Sequence, residues 1–320
     1  MKFLLVIIFL ASFRLEARAP EWFSDFIKTT PGCDRELLCV AGEGKTLADA
    51  SGGARSEAAK FFQTKINSTS FLSTTTGQVG LNPVAGSFDE WTNKTVMEET
   101  SEIISGLEIK RQEELDGQYY VLMALNREIS AKLLKEKMET LDLENVKLME
   151  LNSRFVYPKV LKNLALASAL YERYSLLTER PLALKVKKEF VQGKINNLSP
   201  LKLGIVSKGK RLPPKLSHFL IDLLAPLKVV VIPKKSSPKY ILKTEMIIEN
   251  QYFKVEGFKK LNIILRLELQ NAHASALGKM SAFSEQVART DEQAIEKALP
   301  EIRESLQERL DQLTTIRMDD

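Results

Sequence analysis

Two cysteines, Cys33 and Cys39, are the residues of this 320-residue chain whose chemistry is easiest to predict. Five residues separate them, so a bond between them would close a short loop. In an oxidising compartment a disulfide is the expected state of such a pair. It would stabilise the fold by about 2 kcal/mol on a loop-entropy argument. The alternative is one or two buried thiols, and we favour the disulfide.

A glycine-containing segment, Gly42-Glu43-Gly44-Lys45-Thr46, has the ending of a phosphate-binding loop. It lies between an apolar strand pattern and a helix pattern, which is where such a loop occurs. The full motif also needs a glycine five residues before Gly44, and this chain has Cys39 at that position. We therefore favour a plain strand-to-helix turn over a nucleotide site, and the sequence predicts no cofactor.

Histidines and clustered acids are the other groups that could support catalysis or bind a metal. The only histidines, His218 and His273, are far apart in the sequence, which disfavours both a metal site and a catalytic base. The acids Glu98, Glu99 and Glu102 have helical spacing and are interpreted as an exposed helix face. Hydrolysis needs a nucleophile beside a base, or paired carboxylates in a cleft. The sequence therefore predicts no catalytic residue, no metal ligand and no enzymatic activity.

The net charge of +5 is small for this length and argues against a nucleic-acid partner, because such proteins concentrate basic residues on one face. Two basic clusters are interpreted as solvated faces and loops. They consist of Lys185, Lys187 and Lys188, and of Lys208, Lys210 and Arg211.

The N-terminus has the three parts of a secretory signal peptide. Lys2 is followed by an apolar run over 3–13 and by the small-residue site Ala17-Arg18-Ala19. The run is too short to span a bilayer as a helix, which takes about 20 residues, and no later stretch of that length lacks charge. Residues 1–19 are therefore predicted to be a signal peptide, with no transmembrane span after its removal. Cleavage after Ala17 is preferred, because Pro20 would follow a cut after Ala19.

Residues 20–141 have the pattern of an α+β domain. Thr46 is a helix-capping residue type, and small residues on one face of the following helix would let it lie close to a sheet. Asp116-Gly117 is a favoured two-residue hairpin turn. We expect one sheet with helices on one face. The predicted elements are strands over 37–41 and 68–76, a turn at 42–44, a helix from Thr46, a loop over Gly77–Ser87, a helix over 88–105, hairpin strands over 107–114 and 119–125, and a helix from Ser130.

Residues 142–199 are predicted to form a long helical connector. Their apolar residues have helical spacing to about residue 190. Pro158 and Pro181 divide the stretch, because an interior proline removes a backbone donor and clashes with the preceding turn. Residues 196–200 are predicted to be a linker.

Residues 200–320 are predicted to form a second α+β domain. The clearest strand is 261–269, where leucine and isoleucine alternate with Asn262, Arg266 and Glu268. Gly278 is interpreted as part of a turn, and Asp291 begins a last amphipathic helix with Ala294, Ala298, Ile302, Leu306 and Leu310 as its apolar stripe. The other predicted elements are strands over 201–206, 228–232, 240–249 and 279–287, and a helix opened by Pro213 and Pro214.

The first region resembles the LPP-twenty family of bacterial envelope lipoproteins over roughly 20–135. The match follows the order of the family's segments, and none of them contains a catalytic residue. The matching segments are Pro20-Glu21-Trp22, Val40 to Gly44, the alanine-spaced helix Ala48 to Ala59, Asn67 to Thr76, Ile104 to Ile109, and Tyr119 to Arg127. The second region, about 200–315, is similar in element order to periplasmic domains of envelope assembly proteins, including flagellar assembly T-like and curli-secretion-like proteins.

These resemblances imply a periplasmic, outer-membrane-associated protein with envelope or flagellar partners, some of whose relatives build oligomeric rings. The chain has no cysteine near the predicted cleavage site, so the family's lipid attachment is absent. This difference favours a soluble periplasmic protein, or one that partners hold at the membrane.

Three functions remain open from the sequence. The leading hypothesis is a non-enzymatic periplasmic subunit or assembly factor of a cell-envelope complex, with the flagellar outer ring as one candidate. The alternative is a periplasmic binding module for cell-wall polymer or a small ligand, using the Gly77–Ser87 loop or an inter-domain groove. An uncharacterised enzyme would need a deep pocket of carboxylates, for instance around Glu98 or Glu113.

Overall fold

The computed structural model describes residues 19–33, 35–64, 103–178, 180–209, 212–232 and 238–314. These residues form two compact units, with the boundary after Ala131. Each unit has one sheet with helices, so the predicted α+β class is confirmed. The predicted strand 68–76, the loop Gly77–Ser87 and nearly all of the predicted helix 88–105 lie outside the described residues.

The first unit contains a three-stranded antiparallel sheet in the order β1-β3-β2. The final helix of the unit, α4, continues into the second unit. The elements are α1 (Glu21–Ser24), α2 (Phe26–Thr29), β1 (Leu37–Gly44), α3 (Leu47–Thr64), β2 (Glu108–Leu115), β3 (Gln118–Asn126) and α4 (Arg127–Glu150).

The hairpin β2–β3 forms as predicted. Leu115 pairs with Gln118, which leaves Asp116 and Gly117 as the two turn residues. Their φ angles are 53° and 73°, the left-handed values that a tight hairpin turn of this kind requires. β3 is the central strand, and its residues from Tyr120 to Leu125 are buried on both faces of the sheet.

Helix α3 begins at the predicted cap. The hydroxyl of Thr46 accepts a hydrogen bond from the Asp49 backbone N–H at 3.1 Å, which satisfies one of the free donors of the first turn. The predicted apolar face is confirmed, because the side chains of Ala50, Ala54, Ala58 and Phe62 are fully buried.

The predicted turn at 42–44 is wrong, because β1 continues through Gly44. An added Cβ on Gly42 would lie 2.2 Å from the carbonyl oxygen of Ala50 and 2.3 Å from the backbone nitrogen of Ala54. No side chain fits at that distance. Gly42 therefore allows the backbones of β1 and α3 to be in contact. The two glycines that suggested a turn are required because α3 lies directly on β1.

The second unit contains a five-stranded mixed sheet in the order β5-β4-β6-β7-β8. β4 is parallel to both of its neighbours, and β6, β7 and β8 are antiparallel. Besides the rest of α4, the elements are α5 (Tyr157–Leu177), α6 (Lys188–Asn196), β4 (Leu201–Lys208), α7 (Pro214–Leu224), β5 (Val229–Ile232), β6 (Tyr240–Gln251), β7 (Lys259–Asn271), β8 (Ala276–Ala288) and α8 (Asp291–Glu308). Short 3-10 helices occupy Arg154–Val156, Ala225–Leu227 and Leu310–Leu313.

One face of this sheet packs on α7 and α8. The alternation predicted for 261–269 is confirmed, because the five leucines and isoleucines at odd positions are all buried in the core. The intervening Arg266 and Glu268 lie on the other face and pair with Glu245 and Lys279 of the neighbouring strands. The stripe predicted for α8 is buried, and Thr290 caps the helix by accepting from the Gln293 N–H.

Gly278 lies inside β8, and the turn that precedes this strand is at 272–275. The predicted turn at Gly278 is therefore wrong. An added Cβ there would lie 2.3 Å from the carbonyl carbon of Leu313, in the 3-10 helix that follows α8. This glycine, like Gly42, allows two backbones to touch.

The helices of the predicted connector belong to the second unit. α4 runs through residue 141, and Pro158 stands in the first turn of α5, where a proline costs no hydrogen bond. The segment between the two helices is buried: Phe155 joins the core of the sheet, while Val156 joins a separate core of the helices. The separate domain limits at 141 and 199 stay a prediction.

Arg154 attaches this helical segment to the sheet. Its guanidinium is buried, and one nitrogen donates to the carbonyl oxygens of Ser199 at 2.9 Å and Leu227 at 3.1 Å. Beside it, the hydroxyl of Ser153 donates to the hydroxyl of Thr314 at 3.0 Å. The residues just before β4 and the segment that follows α8 are thus both held by the α4–α5 junction.

Gly42→Ala is expected to lower the free energy of unfolding by about 2 kcal/mol or more, because its methyl group overlaps the backbone of α3. Gly52→Ala is the matched control: Gly52 lies in α3 with open space at its Cβ position. That change should raise stability by about 0.5–1 kcal/mol through helix propensity. Urea denaturation of the two variants measures both effects, and equal stabilities would contradict the close packing of α3 on β1.

Arg154→Met keeps the length of the side chain but removes the donor that serves three backbone carbonyls. We expect a loss of about 2 kcal/mol or more, because the buried carbonyls lose their partner. Arg180→Met, at an exposed position, should be close to neutral. Thermal unfolding of the two variants compares them directly, and a stable Arg154→Met protein would contradict this role.

Candidate functional site

The second face of the three-stranded sheet is covered by the N-terminal segment, residues 20–33. Trp22 is buried there against Tyr120 and Leu122 of β3, with Phe23 and Phe26 at its edge. The prediction of helices on one face only is therefore wrong. Because both faces of β3 are covered, its run of apolar residues is continuous instead of alternating.

Trp22 and the adjacent Phe23 together make three kinds of contact with the sheet. Its indole Nε1 donates to the Glu113 carboxylate at 2.8 Å. The guanidinium carbon of Arg111 lies 4.9 Å from the centroid of its ring, which is cation–π geometry. Phe23, next in the chain, meets the Tyr120 ring edge-on with centroids 4.9 Å apart. The segment is thus fixed to β2 and β3 by polar as well as apolar contacts.

A disulfide joins Cys33 to Cys39, with their Cα atoms 5.4 Å apart. This is the pairing that the sequence favours over buried thiols. Cys39 lies in β1 on the face that the N-terminal segment covers, and Cys33 is buried at the end of that segment. The carbonyl of Gly32 also accepts from the backbone N–H of Leu37 at 2.8 Å. The bond therefore closes the connection between the N-terminal segment and the sheet.

The segment from Gly42 to Thr46 cannot serve as a phosphate cradle. In such a loop the backbone N–H groups converge on the anion. Here the space beside Gly42 and Gly44 is filled by the first turns of α3, with Ala50 backbone atoms less than 3 Å from where a Cβ would lie. The segment joins a strand to a helix as predicted, but the turn itself is at residues 45 and 46, after β1 ends at Gly44.

The other residues singled out from the sequence lie apart from one another. His218 is exposed on α7 and His273 is exposed in the turn before β8. Within the described ranges, no group of three His, Cys, Asp or Glu side chains could hold a metal ion. Glu113 bonds to Trp22 as described above, while Glu98, Glu99 and Glu102 lie outside those ranges.

Several charged groups are buried in the second unit. Burial lowers the pKa of Arg173 to about 10, with Glu172 opposing the effect, and the guanidinium donates to the Ala169 carbonyl at 2.9 Å. Burial also raises the pKa of the Asp311 carboxyl. The buried carboxylate of Asp142 accepts from the backbone N–H groups of Lys185 and Val186. The charged groups of Arg173 and Asp142 thus form hydrogen bonds with backbone groups and stabilise the fold.

Sequence reasoning named Trp22 and Glu113 for other reasons, but it missed the contacts that join Trp22 to Glu113 and Arg111. Three aromatic residues at positions 22, 23 and 26, directly after the predicted signal peptide, were the available signal for a covering segment. The partners of Trp22 on β2 could not have been predicted from local sequence, because about ninety residues separate them from Trp22.

No family model matches this chain, and no curated protein matches it. Among solved structures, one similar chain is a secreted protein from Helicobacter pylori. It is 13% identical, with a TM-score of 0.36, over 86% of this chain and 97% of that one. A minor lipoprotein from Acinetobacter baumannii is 14% identical, with a TM-score of 0.24, over 36% of this chain and 87% of that one.

A third similar structure is the PelC dodecamer from Paraburkholderia phytofirmans, 12% identical with a TM-score of 0.24 over 36% of this chain and 90% of that one. TM-scores this low establish neither a shared fold nor a shared function. The resemblances to the LPP-twenty family and to flagellar and curli assembly domains therefore stay predictions. Within the described part of the chain, no helix has both the length and the apolar character needed to cross a membrane.

Replacing both cysteines, as Cys33→Ser with Cys39→Ser, is expected to lower the free energy of unfolding by about 2 kcal/mol. Because the bond holds the segment that buries Trp22, the emission of Trp22 should shift to longer wavelength well before global unfolding. The background variant Trp91→Phe leaves Trp22 as the single tryptophan. The measurement is tryptophan emission against urea, with and without a reductant.

The same Trp91→Phe protein with both cysteines, kept oxidised, is the control and should lose Trp22 burial only in the global transition. Thiol labelling of the purified protein without reductant should find no free thiol. Two labelled cysteines per chain, or identical emission curves for both forms, would contradict this account.

Proposed function

We propose that the protein is a non-enzymatic, exported subunit or assembly factor of a complex in the bacterial cell envelope. Its compartment in this proposal is the periplasm, in association with the outer membrane, and the flagellar outer ring is one candidate complex. The proposal extends the LPP-twenty and flagellar assembly T-like resemblances of the two regions.

The observation that carries the proposal is the Cys33–Cys39 disulfide in a chain that begins with a signal-peptide pattern. Cytosolic thiols stay reduced, whereas disulfides persist in oxidising compartments such as the periplasm. The bond follows the predicted leader closely and holds the first folded segment on its sheet. Sequence pattern and structure thus support the same compartment independently.

The use of the charged residues supports a role without catalysis. In β2 the Glu113 carboxylate bonds to the indole of Trp22, and Arg111 stacks on the same ring. In the second unit Arg154 and Asp142 bond to backbone groups. Such groups are committed to holding the fold, whereas catalytic groups face a site that substrate can enter.

Export is tested by fusing residues 1–30 to alkaline phosphatase that lacks its own signal, because this enzyme folds only where its disulfides form. The fusion is expected to be active in a Gram-negative host. A matched control carries Leu5→Arg and Ile8→Arg, which interrupt the apolar run of the leader. Activity in the control, or none in the original fusion, would contradict export.

Membership of an envelope complex is tested by crosslinking the full-length protein in its native cells, followed by mass spectrometry of the envelope fraction. Crosslinks to defined envelope proteins are the expected result, and crosslinks to flagellar ring proteins would identify the candidate complex. A free monomer with no crosslinked partner would contradict the proposal. Retention on purified peptidoglycan would instead favour the binding-module alternative.

A further inference from the structure

The loop that joins β6 to β7, residues 252–258, exposes three large side chains. Tyr252 is 84% exposed, Val255 50% and Phe258 38%. Exposed apolar residues on soluble proteins are usually scattered singly, whereas a cluster of them marks an interaction site. Three within seven consecutive residues form such a cluster, which we call the β6–β7 tip.

The tip lies beyond the ends of the neighbouring strands. The pairing of β4 with β6 ends at Lys208, which lies opposite Glu245. β6 then continues for six further residues without β4 beside it. On the other side, β8 ends at Ala288, opposite Lys259, the first residue of β7. The tip is therefore the loop at the end of three antiparallel strands, β6, β7 and β8, and lies beyond the end of β4.

The shape of the tip is fixed before anything binds. The backbone N–H of Phe258 donates to the carbonyl of Val255 at 3.2 Å, which closes a turn in which Gly257 has a φ of 75°. The guanidinium carbon of Arg289 lies 5.3 Å from the centroid of the Phe258 ring. Because the backbone turn and the Phe258 ring are already held, binding through the tip orders little of the chain and loses little conformational entropy.

Lysines accompany these side chains. Lys254 is exposed within the tip, and Lys259 and Lys260 follow it, whereas Glu256 is the one acid between 252 and 260. Lys259 pairs with Asp291 at 3.2 Å and Lys260 with Glu285 at 2.8 Å, at the base of the tip. Aromatic side chains beside lysines are typical of protein surfaces at the membrane–water interface. Lysines there are also attracted to anionic lipid.

The size of the tip favours a bilayer over a protein partner. A stable protein–protein interface buries about 800 Å² on each partner, a surface to which some 20–30 residues contribute. A bilayer surface needs no complementary shape, and a few aromatic and apolar side chains can enter its headgroup region. The tip has only seven residues, which is too few for a protein interface of this kind but enough to enter the headgroup region of a bilayer.

We propose that the β6–β7 tip anchors the protein to the surface of a phospholipid bilayer that contains anionic lipid. Tyr252, Val255 and Phe258 enter the headgroup region, and Lys254 contacts lipid phosphate. The inference goes beyond the proposed function and does not depend on export, because the purified protein is enough to test it.

The test is flotation of the purified full chain without residues 1–19 on vesicles of phosphatidylethanolamine with about a third phosphatidylglycerol. The protein is expected to float with the vesicles. The tip variant Tyr252→Ser with Val255→Ser should bind at least about tenfold more weakly, because it loses the inserting side chains. Tyr252 is 84% exposed and Val255 is 50% exposed, so replacing them should leave the fold intact. Circular dichroism of the variant verifies that it is folded.

The matched control is Val230→Ser with Phe283→Ser, two positions of the same sheet that are 48% and 55% exposed but lie outside the tip. This variant should float like the original protein. Lys254→Glu should weaken binding to anionic vesicles and leave binding to pure phosphatidylcholine vesicles unchanged. The proposal is overturned if the original protein does not float, if the tip variant floats equally well, or if the control loses binding to the same extent.

Discussion

Backbone contact at a single glycine decides how each sheet of this protein is covered. In the first unit, α3 lies so close to β1 that its backbone fills the space where Gly42 has no side chain. In the second unit, the 3-10 helix after α8 meets β8 in the same way at Gly278. The small residues Ala50, Ala54 and Ala58 of α3 are a consequence of this close contact, since larger side chains would separate the two backbones.

Polar contacts hold the first and the last described segments of the chain in place. The N-terminal segment is held by the Cys33–Cys39 bond and by Trp22, whose indole bonds to Glu113. The last described residue, Thr314, bonds to Ser153 in the junction before α5. Segments at the limits of a fold fray unless they are tied down. Here the first and the last described segments are both held by buried contacts.

The β6–β7 tip and the outer face of the five-stranded sheet differ in kind. On the face, Arg266 and Glu268 pair with charges on neighbouring strands. The exposed apolar residues Val230 and Phe283 of this sheet lie far apart, on its two edge strands. At the tip, by contrast, Tyr252, Val255 and Phe258 follow one another within one loop of seven residues.

The sequence determined the features that depend on neighbours along the chain. The α+β class, the Asp116-Gly117 turn, the Thr46 cap, the stripe of α8 and the alternation in β7 were all predictable, because each follows from local spacing and residue type. Tertiary structure decided the roles of Gly42 and Gly278. A glycine in a turn and a glycine that allows a second backbone to approach cannot be distinguished from the sequence alone. It also decided that Trp22 meets Glu113 and that Arg154 serves three distant carbonyls. Such contacts join residues that only folding brings together.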